Sequence, residues 1–136
     1  MPSGRRRARI LALQALYEAD TVGHPPEDTL RRLAGQTSAG EEAAAFALEL
    51  VKGVLENRER IDEVIAKAAP AYPVDQLAAI DRNILRLAIH EILMNNETPV
   101  RAAINEAVEL AKKFGSGNSA RFVNGVLGSV SVMAAG

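Results

Sequence analysis

The chain has 136 residues, 48% of them apolar and 24% charged, the balance of one soluble globular domain with a real core. No apolar run is long enough to cross a bilayer, and the absence of cysteine excludes disulfides, thiol nucleophiles and Cys-type zinc sites. The net charge of −1 hides a split: residues 1–17 carry four arginines and no acid, residues 18–81 thirteen acids against six bases, and residues 82–136 six bases against four acids.

The first helix is expected from about Arg5 to Asp20, with Ile10, Leu13, Leu16 and Tyr17 at three- and four-residue spacings. The basic start meets glutamine and acids before any signal-peptide core can form, so a cytoplasmic location is expected. Gly23-His24-Pro25-Pro26 ends this helix and opens a short second one, with Pro26, Glu27 and Asp28 in its first turn. Residues 35–40 read as a loop in which Ser38 and Glu41 have capping-box spacing. Ala47, Val51, Val54, Arg58, Ile61, Ile65 and Ala68 then predict one long helix over 40–68, stopped by Pro70 and Pro73.

Val74 to Ala79 suggests a short helical turn. A helix from Ile80 to about Asn95 is apolar around most of its circumference, which places it at the centre of the fold. Thr98-Pro99 reads as an N-cap and N1 proline for a helix ending at Phe114, with Lys112 and Lys113 in its last turn and Gly115 at C′. Asn118 or Ser119 caps a last helix, in which Gly125 and Gly128 suggest close packing. No period-two alternation bounded by hairpin turns occurs. The expected fold class is all-α, about seven helices in two packed three-helix-like bundles, covering about 5–69 and 74–133 of a single domain over 1–136.

Enzyme constellations are missing: there is no glycine-rich phosphate loop, HExxH or nucleophile elbow. His24 and His90 are far apart in sequence. His90 and Glu91, as helical neighbours, point apart, and read as a satisfied structural histidine and a solvated acid. No catalytic residue, metal site or cofactor is expected. A helical enzyme binding a dicarboxylate through arginines would need them in an enclosed pocket, whereas Arg5 to Arg9 sit at a chain end.

The basic termini carry more signal. Arg6, Arg9, Leu13 and Tyr17 fall within an arc of about 80° on a helix, a strip with charges for phosphates and a ring for a base. The competing reading is a solvated helix end with Tyr17 in the core. Lys112 through Phe122 is a helix end, a small polar loop and a new helix N-terminus, suited to a phosphate or a base edge. Simple capping explains it equally well.

Three stretches together resemble the NusB family of bacterial transcription antitermination factors. They are Arg5-Arg6-Arg7-Ala8-Arg9 through Gln14-Ala15-Leu16-Tyr17, then Asp81-Arg82-Asn83-Ile84-Leu85-Arg86 through Glu91, and Ala103-Ile104-Asn105-Glu106-Ala107 through Phe114-Gly115 to Phe122-Val123-Asn124-Gly125-Val126-Leu127. The resemblance covers essentially the whole chain. It implies a non-enzymatic protein that binds the boxA element of ribosomal RNA transcripts together with the ribosomal protein NusE. That pair joins NusA, NusG and RNA polymerase so that ribosomal operons are read through.

By the same resemblance the RNA-facing residues are Arg5, Arg6, Arg7, Arg9, Tyr17, Asn118, Ser119, Arg121 and Phe122. Asp81 faces NusE, and Asp75 lies in the acidic middle that would meet a basic ribosomal protein. Two positions depart from the family pattern. Asn118 stands where relatives often carry an acid, so RNA binding no weaker than usual, with less dependence on the protein partner, is expected. His90 stands where an aromatic is common. The chain stops soon after its last helix, so no C-terminal tail is expected to contribute. The alternative is a helical protein–protein adaptor or homodimer without direct RNA contact.

Overall fold

The computed structural model describes residues 4–37, 40–95 and 97–135. Among them are seven α-helices and no strand: α1 Gly4–Val22, α2 Pro26–Gln36, α3 Glu41–Glu56, α4 Arg58–Ala68, α5 Ala79–Ile89, α6 Val100–Phe114 and α7 Ser119–Ala135. A 3-10 turn, Val74–Gln76, stands where a short helix is expected, and a π-helical segment, His90–Asn95, continues α5.

Periodicity explains most of this. Ala8, Leu11, Ala12, Ala15 and Leu16 turn one face of α1 inward, against α2, α3 and α5. Every residue of α5 from Asn83 to Ile89 is buried, since α1, α4, α6 and α7 surround it. One continuous core results, with Leu13, Leu50, Ile61, Ile84, Leu85 and Leu127 sealed from water. Gly23 ends α1 with φ of 76° and its N–H on Ala19 O, a conformation glycine adopts without a Cβ penalty.

The single helix expected over 40–68 is two. Asn57 sits between them at φ −111°, ψ 14°, and both its N–H and its side-chain Nδ2 donate to Gly53 O. The carboxamide thus competes with the helical ladder rather than capping α4. The break lies beside a tight contact, because the His90 imidazole fills the space a Cβ on Gly53 would need.

Other local expectations are also corrected. Pro99, not Thr98, is the N-cap of α6, because the Thr98 hydroxyl donates to Glu91 Oε1 instead. Gly115 is extended at φ −91°, ψ −171° rather than left-handed. What it must lack is a Cβ, since the Ser119 side chain packs there. Gly125 and Gly128 have open space where a Cβ would stand, so they mediate no close packing. Ser38 lies outside the described residues.

Candidate nucleic-acid interface

The four arginines of the first helix part company in the fold. Arg5 is exposed and lies 4.5 Å over the Phe46 ring. Arg6 makes a two-pronged contact with Glu106 of α6, at 3.1 and 2.6 Å, with its side chain still 48% exposed. Arg7 is half-buried.

Arg9 is not on the surface strip. Its Nε and Nη2 each donate to Glu91 at 2.9 Å, Nη1 reaches Glu106 at 3.4 Å, and Nη2 also faces Thr98 at 3.4 Å. Both Arg9 and Glu91 are sealed from water. Arg9 therefore bolts α1 to the π-helical segment and to α6, and Glu91 is a buried partner rather than a solvated acid. A buried pair of this geometry adds little net stability over an apolar replacement, but losing one member strands a charge.

Arg6, Lys112 and Lys113 line an open groove of about 340 Å³ between α1 and α6, with Arg9, Ile10, Glu106, Glu109 and Leu110 also in its walls, whereas Arg5 lies beside Glu42, Phe46 and Glu49 of α3. A second groove of about 410 Å³ continues along α1, walled by Leu13, Gln14, Tyr17, Ala78, Ile80 and Phe114. The opening helix and the end of α6 thus share one face, and the connector to α7 departs from it at Phe114. Tyr17 is 41% exposed there, so its ring is presented rather than consumed by the core. The Arg6 guanidinium donates to the Glu106 carboxylate and holds it below its usual range, and burial only partly opposes this.

Past the connector, Asn118 and Arg121 are exposed, and Phe122 is half-buried. Ser119 is buried, with its Oγ accepting the Ser116 N–H at 2.9 Å. It ties the loop together and cannot face a ligand. The two acids expected at the partner surface lie apart. Asp75 is exposed on the rim of an ionic cluster formed by Asp20, Arg58, Asp62, Arg82 and Arg86. Asp81 is half-buried in the first turn of α5, with Oδ1 unpartnered among the described residues.

Sequence reasoning missed that ionic cluster. Asp20 accepts from Arg82 Nε at 2.8 Å, from Asn83 Nδ2 at 2.9 Å and from Arg86 Nη1 at 3.3 Å. Arg86 also grips Asp62 through Nε and Nη2 at 2.9 and 3.0 Å. Burial pushes the Asp20 carboxyl up, but these donors and their positive charges more than offset it, and it lies below its usual range. Among the described residues no cluster of His, Cys, Asp and Glu suits a metal ion, and no helix is long and apolar enough to cross a membrane.

The NusB family model matches residues 6–131. The transcription antitermination protein NusB of Dehalococcoides mccartyi is 53% identical over 131 residues, covering 96% of this chain and 92% of that one. The solved structure of T. maritima NusB superposes with a TM-score of 0.87 at 32% identity, covering 97% of this chain and 93% of that chain. A solved complex of the antitermination factors NusB and NusE with double-stranded RNA matches with a TM-score of 0.87 at 27% identity, covering 98% of this chain and 99% of that one. Its relatives are antitermination factors, not enzymes, and by family model, sequence and fold alike this chain belongs to the NusB family.

Proposed function

We propose that this chain is a transcription antitermination factor acting in the cytoplasm, binding single-stranded boxA RNA together with NusE and joining NusA, NusG and RNA polymerase on ribosomal operons. The observation that carries the reading is the shared face of α1 and α6. Arg6, Lys112 and Lys113 stand along one groove, and Tyr17 and Phe114 line its continuation. Cations in a row attract a phosphate backbone, and an exposed ring offers a sequence-tolerant stacking surface.

Arg5, Arg6, Arg7, Tyr17, Asn118, Arg121 and Phe122 are the RNA-facing set. Arg9 and Ser119 serve it indirectly. Arg9 fixes the Glu106 carboxylate that orients Arg6, and Ser119 shapes the connector. Asp75 and Asp81 are the candidate contacts for the basic partner, whose approach their charge favours.

Binding of boxA RNA against a scrambled control, with and without NusE, tests the reading. Tighter binding of boxA that strengthens further with NusE supports it, and equal affinities for both RNAs remove it. The rival is a homodimer or protein adaptor, favoured by the apolar lining at Leu13, Ile80 and Phe114. A dimer that RNA fails to dissociate would establish that rival.

A further inference from the structure

Tyr72 is outside the RNA-facing set but touches one member of it. It is 56% exposed and packs edge-on against Phe122 of α7, with ring centroids 5.7 Å apart and planes at 86°. Its backbone is held: Pro70 and Pro73 flank it, and its N–H donates to Ala69 O. The segment that follows is pinned from below, where Arg82 Nη1 donates to Val74 O at 3.1 Å and to Leu77 O at 2.9 Å while its Nε holds Asp20. An exposed aromatic on a fixed backbone loses little freedom when a flat ligand covers it.

Its surroundings identify the ligand's chemistry. The pinned segment runs from Tyr72 to Ala78, which forms part of the wall of the Tyr17–Phe114 groove. On the other side α7 contributes the exposed Arg121 and no acid at all. The one carboxylate of the 70–80 segment, Asp75, stands on the rim of the ionic cluster that holds Arg58 and Arg82. Tyr72 packs on Phe122, the chain neighbour of the exposed Arg121, and this suits an unpaired base whose phosphate reaches that cation.

We infer that Tyr72, supported edge-on by Phe122, is a further stacking platform for an unpaired base of the bound RNA. The inference rests on the reading of this protein as an RNA-binding factor and extends the contact surface beyond the α1–α6 groove. Stacking is sequence-tolerant, so Tyr72 adds affinity and registers the strand rather than selecting a base.

The chain has two tyrosines and no tryptophan, which gives the platform its own optical signal. In a Tyr17→Phe variant all tyrosine emission comes from Tyr72. Titrating that variant with single-stranded boxA RNA, corrected for absorption by the RNA, should quench the emission in step with binding followed by anisotropy of labelled RNA. In the otherwise unaltered chain Tyr72→Ala should weaken RNA binding roughly 5- to 150-fold, and Tyr72→Phe should restore it, because stacking needs the ring and not the hydroxyl. Unchanged emission at saturating RNA, or a Tyr72→Ala chain that binds RNA as tightly as the parent, would overturn the inference and leave the α1–α6 reading standing. If the unaltered chain binds no RNA, both fall together.

Discussion

The two ends of α1 use the same chemistry for opposite purposes. At its C-terminal end Asp20 gathers Arg82, Asn83 and Arg86, and Asp62 completes the set. Charges there are balanced, and the donors are spent on the fold. At its N-terminal end Arg9 is spent in the same way on Glu91, but Arg6 keeps half its side chain in water beside Lys112 and Lys113. An arginine read from sequence carries no label saying which kind it is. The lesson is that the number of carboxylates within reach, set by distant helices, decides whether a cation builds the fold or is left for a ligand.

The largest expected effect comes from breaking a buried pair. Arg9→Ala should lower stability by about 3–5 kcal/mol, since it strands the Glu91 carboxylate in the core. Arg9→Met with Glu91→Leu should recover much of that loss, because an apolar pair of similar volume removes the stranded charge. Denaturant unfolding checks both. A cost below about 1 kcal/mol for the single variant would mean that Arg9 is exposed after all.

Next comes Tyr17→Ala. It should weaken RNA binding by about 1–3 kcal/mol through lost stacking, with a thermal midpoint close to that of the parent because the ring is 41% exposed. A large drop in the midpoint with unchanged RNA affinity would assign Tyr17 to the core instead. The two clusters can also be set against each other directly. Arg86→Met should cut stability and leave the salt dependence of RNA binding alone. Arg6→Ala should do the reverse, making the slope of log K against log salt shallower by roughly 0.7.

The smallest effect is in acid. The donors facing Glu106 and Asp20 hold both carboxyls below their ordinary values of 4.5 and 3.8. A carboxyl with a depressed folded-state value contributes stability above its unfolded value and loses it as pH falls through the folded one. Stability should therefore begin to fall below about pH 4.5. Glu106→Gln should make that loss less steep while removing a negative charge from the groove, so RNA binding near neutral pH should tighten. An identical acid profile for the variant would show that Arg6 does not hold Glu106.

How much was legible depends on the range of the signal. The buried α5 followed from its own apolar circumference, and the charge split from simple counting, because both are local properties. The break at Asn57 did not follow, since the spacing from Ala47 to Ala68 survives a one-residue kink. Only the His90 ring against Gly53, from a helix far along the chain, marks the crowding there. Arg9 lies on the helical face that its spacing predicts but in a buried environment that spacing cannot show, because its partner lies 82 residues downstream. Glu91 and Glu106 gave no sign alone; an acid inside an otherwise apolar helix was the one available clue to Glu91. Thr98-Pro99 has the local pattern of a cap, and a tertiary acceptor outcompetes that use.

Whether cations from both ends of the chain neutralise one RNA can be read from the salt slope of boxA binding. The slope should become shallower by roughly 1.4 when Arg5 and Arg6 are changed to Gln, and by a similar amount when Lys112 and Lys113 are changed instead. A slope that responds to one pair and ignores the other would mean that the transcript touches only one end of the protein.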